Sequence, residues 1–241
     1  MRHQLKTNWK QKVKGIQIYD PVLFWISNKF IYLLKPITTM KNIKSLIIAA
    51  AVLLSGTVSA QKWSEGKDLS YLKGEKEILV KFTFDNMTAG KKKAEADYIK
   101  EKVEDYNKKE PGKGDKWAKS WEENKLGIYA PKFEELFNKV SGDLAGDRNK
   151  SNAKYTVIVH TLRMEPGWNI GISKMPASCD FEILIVETAN PSVVKSKGMM
   201  YNIPGSQFAG YDFDVSARIG ECYAKCGKDL GKKLGKAAKV K

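Results

Sequence analysis

Three cysteines and one histidine beyond residue 60 are the side chains best suited to nucleophilic chemistry. Cys222 and Cys226 stand one helical turn apart, Cys179 precedes an apolar run, and His160 lies inside another. A thiol enzyme would pair Cys222 or Cys226 with His160 as base, and this is the alternative function the sequence offers. The competing reading is structural. A lone histidine within an apolar strand is ordinarily packed, and cysteines in an exported chain are bridged or act as small buried hydrophobes. Cys179, just ahead of a strand that should lie beneath the helix bearing Cys222 and Cys226, is the better bridging partner for either. Three reduced thiols are the other outcome. The C-x3-C spacing with no neighbouring histidine is not a zinc pattern, so no metal site is expected. G-x-S-x-G, H-E-x-x-H, P-loop and G-x-G-x-x-G motifs are all missing from the sequence. No cofactor and no catalytic residue is therefore predicted, and the expectation is a protein that is not an enzyme.

A second group of residues is suited to recognition. Glu165-Pro166-Gly167-Trp168-Asn169-Ile170-Gly171 places a tryptophan between glycines in a long connection. Such loops often carry function. Trp168 and Asn169, with Tyr201, Phe208 and Tyr211 expected nearby, are the candidate binding-loop residues. The alternative is that Trp168 folds back to close the open end of the core. Asp143, Asp147 and Asn149 lie in a polar stretch, but their spacing does not fit a calcium loop, and a solvated turn is expected.

The composition, 42% hydrophobic, 10% aromatic and 29% charged in 241 residues, is that of a folded globular domain rather than a disordered or collagen-like chain. The net charge of +15 is unevenly spread. Residues 1–60 hold nine Lys or Arg and one acid, leaving 33 basic and 26 acidic side chains beyond. Those lysines alternate with acids, as in Lys100-Glu101-Lys102, and the arginines beyond residue 60 are Arg148, Arg163 and Arg218. Nucleic-acid readers cluster their basic residues and use arginine on base edges, so no nucleic-acid partner is expected.

Targeting is the strongest signal. From Met40, Lys41 and Lys44 form a basic start, Leu46 to Leu54 an unbroken apolar run, and Val58-Ser59-Ala60 a small-residue cleavage site. A run near nine residues is too short for a span, which needs about 20. The expectation is a signal peptide over 40–60, cleaved after Ala60, and a periplasmic or secreted product beginning at Gln61. Residues 1–39 are expected to be an overextended start. A long basic leader or a second weak anchor is the alternative.

These side chains must be positioned by the elements of residues 61–241, expected to form a single α+β domain. Glu77 to Phe84, Lys154 to Arg163, Asp180 to Thr188 and Val193 to Ile203 read as strands. Lys91 to Lys109 reads as a half-buried helix, Trp117 and Trp121 as a short helix or turn with indoles on one side, and the stretch after Pro131 as a helix ending near Gly142. Val215, Ile219, Cys222, Tyr223, Cys226, Leu230 and Leu234 line one face of a long closing helix that Asp212 or Asp214 caps. The predicted architecture is a two-layer sandwich, a mainly antiparallel four-stranded sheet with helices packed on one face.

The strand Tyr155-Thr-Val-Ile-Val, the strand Phe181-Glu-Ile-Leu-Ile-Val with its turn, and the helix from Phe213 through Leu230 resemble a group of small bacterial envelope domains of unknown function. Their fold is similar to the amino-terminal domain of TolB and to the sheet-and-helix body of the curli-secretion lipoprotein. The resemblance covers about residues 155–234. It implies an envelope role with an unidentified protein or glycan partner, and transfers no catalytic residue. The chain departs from the lipoprotein in having Gln61 rather than a cysteine at the first position after the cleavage site, and in having no pore-forming hairpin. The lysine-rich tail, Lys225 to Lys241, adds a weak contact with an anionic membrane surface as a further expectation.

Overall fold

A computed structural model describes residues 61–91, 93–169, 173–205 and 215–240. The expected signal peptide and the stretch before it lie outside the described residues, as do Phe208, Tyr211 and the two proposed capping aspartates. Among the described residues, no helix is long and apolar enough to cross a membrane.

The order of elements is β1 (Gln61–Glu65), a single tight turn (Ser70–Leu72), β2 (Glu77–Thr83), β3 (Thr88–Ala89) and β4 (Lys93–Ala94). Helices α1 (Glu95–Lys109) and α2 (Lys113–Asn124) follow, then a wide π-type turn (Lys125–Tyr129), α3 (Ala130–Val140) and β5 (Ala145–Asp147). The chain continues through β6 (Tyr155–Glu165), a small hairpin of β7 (Trp168–Asn169) and β8 (Lys174–Met175), then β9 (Ser178–Glu187) and β10 (Val194–Pro204). The last element is α4 (Val215–Ala238).

The fold is α+β, but its sheet is larger and more mixed than the predicted four-stranded, mainly antiparallel one. Six strands run in the order β1-β10-β9-β6-β2-β5, and β3 and β4 bring the sheet to eight. The run β6, β9, β10, β1 is antiparallel, whereas β2 is parallel to both β6 and β5. The connection permits the parallel pair. The whole of α1, α2 and α3 separates β2 from β6, long enough for the crossover that parallel strands require. Strands β1 and β5 escape sequence reading because QKWSE and AGD show no alternation to detect.

Alternation along the central strands decides which face is covered. Tyr155, Val157, Val159 and Thr161 on β6, and Cys179, Phe181, Ile183 and Ile185 on β9, are buried beneath the helices. Their neighbours Ile158, His160, Glu182 and Leu184 point to the half-open opposite face. Helix α4 lies against β9 and β10, α3 against β5, and α1 against β3 and β4, while α2 leans on α1.

Helices α3 and α4 touch backbone to backbone. A Cβ on Gly227, Gly231 or Gly235 would come within 2.2, 2.5 and 2.1 Å of the Phe133, Phe137 and Ser141 carbonyl oxygens. Those glycines repeat every four residues, so they lie along one stripe of α4 and let the helix axes approach closely. Phe133 and Phe137, fully buried, stack at 5.8 Å beside that contact.

Candidate functional site

Helix α1, the β3–β4 turn and the loop after β6 enclose a cleft of about 280 Å³ that contains Trp168. Its floor follows from a close approach. A Cβ on Gly90 would meet the Tyr98 ring at 2.6 Å, so only glycine lets the turn lie on that ring, and Gly90 also takes φ +37°. Lys91 follows at φ +40°. Glu165 ties the two walls together: its Oε2 accepts from the Lys91 N–H at 3.0 Å and its Oε1 from the Gly167 N–H at 3.2 Å. The buried Arg218 of α4 donates from Nε to the Pro166 carbonyl at 3.1 Å, anchoring the loop from beneath.

Trp168 stands on this support with 42% of its surface exposed. It pairs with Met175 across the β7–β8 hairpin, and its Nε1–H donates to Ser173 Oγ at 3.1 Å. The other walls are Lys91, Lys93 and Lys102 with Glu101. Lys93 and Glu101 form an ion pair. The hydrogen bond from Lys93, followed by its charge, holds the Glu101 carboxyl below its ordinary range. Lys102 lies 5.6 Å from the centre of the Tyr98 ring. Burial is the main reason the Tyr98 hydroxyl is pushed far up its scale, so at neutral pH it stays a protonated donor. The cleft thus offers an aromatic ring, a phenol and excess positive charge, a surface for holding a ligand.

Of the predicted binding-loop residues, Trp168 lines this cleft. Tyr201 is 47% exposed on β10 and does not line it. Nothing is described of the Asn169 side chain, and Phe208 and Tyr211 fall outside the described residues. Sequence reading missed Tyr98, because its place on the apolar stripe of α1 marks it as core. Gly90 was the available signal, a glycine directly before a lysine run.

The thiols occupy the other side of the molecule's chemistry. Cys179, Cys222 and Cys226 are all free and fully buried, so the bridge expected from Cys179 to the helix is not present in the structure. The Cys222 side chain lies close enough to Cys179 to act on its thiol. Cys222 Sγ donates to the Arg218 carbonyl at 3.7 Å, and Cys226 Sγ sits 3.6 Å from Met200 Sδ. Burial pushes the Cys179 and Cys226 thiols up, disfavouring the thiolate a nucleophile requires. His160 is on the opposite face of the sheet. Its Nε2–H donates to the Asp85 carbonyl at 2.9 Å and its Nδ1 lies 3.6 Å from Glu182, whereas the adjacent Thr161 bonds Tyr223 of α4 at 2.6 Å. Alternation along β6 therefore separates imidazole from thiols by the sheet itself, and the Cys–His pairing does not form.

No family model matches the sequence, and no curated protein matches it. Among solved structures, the chain is similar to the PelC dodecamer from Paraburkholderia phytofirmans at 11% identity and a TM-score of 0.35, covering 70% of this chain and 96% of that one. It is also similar to protein XCC0632 of Xanthomonas campestris, of family DUF330, at 12% identity and a TM-score of 0.32, covering 66% and 84%. Superpositions this loose assign neither ancestry nor activity.

Proposed function

We propose that this is an exported, envelope-associated protein that works by binding rather than by catalysis, and that the Trp168 cleft is its contact surface. The observation that carries the reading is Trp168 itself. Its ring is held 42% exposed at a lysine-lined cleft, on a loop braced by Glu165 and Arg218. Aromatic side chains presented on a rigid support are the usual anchors of recognition. Export rests on the three-part signal pattern from Met40 to Ala60. The partner is an envelope protein or glycan.

The test is site-specific photocrosslinking in the native host. A photoreactive residue placed at position 168 should capture one discrete envelope component. The same residue at Leu126, which is exposed on the wide turn, should not. Identical products from both positions, or none from position 168, would defeat the reading.

A further inference from the structure

A second cleft lies along α2, away from Trp168 and with a different lining. It measures about 390 Å³ and is bounded by Tyr106 of α1, Trp117, Ser120, Trp121 and Asn124 of α2, and Tyr129 of the wide turn, closed by the start of α4. Spacing along α2 creates its character. Trp117 and Trp121 stand four apart and form an aromatic row, with ring centres 5.4 Å apart and planes inclined at 34°. Ser120 and Asn124, also four apart, form a polar row beside it. Tyr106 extends the aromatic row, its ring 5.7 Å from that of Trp117.

The two rows differ in what remains free. Trp121 is 3% exposed and spends its Nε1–H on Glu95 at 2.7 Å, so it is a fixed backing. Trp117 and Tyr106 are only half-buried. The Trp117 N–H, the Ser120 hydroxyl and the Asn124 carboxamide have no hydrogen-bond partner among the described residues. No charged side chain lines the cleft among those residues, in contrast to the lysine-lined Trp168 cleft. A ligand entering here must satisfy neutral donors and acceptors along one edge and cover ring faces on the other. Among the described lining residues a charged ligand finds no partner for its charge.

We infer that this cleft binds a neutral carbohydrate, one or two pyranose units long. A pyranose has an apolar face of C–H groups that matches the Trp117 and Tyr106 rings, and a rim of hydroxyls that matches Ser120 and Asn124. The volume is that of a small-ligand pocket. The site is independent of the Trp168 reading and can stand if that one falls.

The test uses cellobiose and N,N′-diacetylchitobiose as neutral probes and glucuronate as a charged one, followed by saturation-transfer NMR and calorimetry on the mature protein. At least one neutral disaccharide should bind, with glucuronate weaker. Trp117→Ala should weaken binding by about tenfold or more, a change of 1.4 kcal/mol by the affinity scale. Asn124→Ala and Ser120→Ala should each weaken it several-fold. Because Trp117 also contributes to helix packing, these two polar substitutions keep the test valid if the tryptophan variant unfolds. Val194→Ala, exposed on β10 and outside this lining, should leave binding unchanged. No binding of either disaccharide at tens of millimolar, stronger binding of glucuronate, or wild-type affinity in Asn124→Ala and Ser120→Ala together would overturn the inference.

Discussion

Glu182 shows how one side chain on the open face of the sheet sets a pH limit. Its Oε1 lies 2.7 Å from Lys197 Nζ, and His160 Nδ1 is 3.6 Å from its other oxygen. The hydrogen bond from Lys197 is the largest cause that lowers its carboxyl below the ordinary 4.5, and the Lys197 charge and His160 add to it. A depressed folded value means the folded state holds its proton less tightly than the unfolded one. The resulting stability is present in full above the ordinary value and is lost as pH falls through the lowered one. Glu182→Gln should therefore lower the urea midpoint at pH 7. The gap to wild type should close as both proteins are taken down below the ordinary carboxylate range. Unfolding curves at pH 7, 5 and 3 check this, and a gap that stays constant would mean the charge is not its source. The same face holds Arg163 in a two-pronged contact with Asp180, at 2.7 and 3.0 Å, so opposite charges across strands recur there.

At the scale of elements, the glycine stripe of α4 is the feature with the sharpest consequence. Gly231 faces the Phe137 carbonyl so closely that an added Cβ would sit 2.5 Å from it, and backbone cannot yield as a side-chain tip can. Gly231→Ala should cost about 1–3 kcal/mol by forcing α3 and α4 apart, although alanine is the better helix former. Gly127, in the wide turn, has nothing within 4 Å of the same added atom. Gly127→Ala should be neutral or stabilise by up to about 1 kcal/mol through the unfolded chain. Opposite signs from one chemical change, read by thermal or urea unfolding, would establish the close helix contact. Equal effects would remove it. The α1–α2 pair is held differently, by rings rather than glycines. Tyr98, Tyr106, Trp117 and Trp121 contact one another at 5.4 to 6.0 Å, and Lys125 pairs with Glu95 at 2.8 Å to fasten the start of α1 to the wide turn.

For the molecule as a whole, docking of α4 decides how its lysines can act. Leu230 and Leu234 are fully buried, Lys233 Nζ lies 5.0 Å from the Trp63 ring, and the Ala238 carbonyl accepts from the Gly74 N–H at 2.9 Å. The apolar stripe therefore belongs to the core and cannot also enter a bilayer. Any attraction to an anionic surface is left to exposed charges such as Lys228, Lys232 and Lys236. Each adds about 1 kcal/mol near such a surface at modest salt, and screening shortens their reach to about 3 Å at 1 M. Sedimentation with phosphatidylserine vesicles should be weak, vanish at 1 M salt, and disappear when those three lysines become glutamine. Binding that survives salt would mean apolar insertion and a helix end that undocks.

The sequence alone determined the local elements whose period repeats several times. The long strands β6, β9 and β10 and the helix α4 were legible because alternation or a four-residue stripe is written along many residues. It also singled out Trp168 by its flanking glycines and long connection, but whether the ring projects or folds back was left to the structure, where it is 42% exposed. What only the tertiary structure decided are relations between segments far apart in the chain. The direction of β2 beside β6, the short strands β1 and β5, the seating of Gly90 on Tyr98, and the sheet that separates His160 from Cys222 all depend on where another segment comes to lie. A residue's period reports which way it faces, but not what stands opposite, because pairing partners are chosen by packing across the whole core rather than by neighbours in sequence.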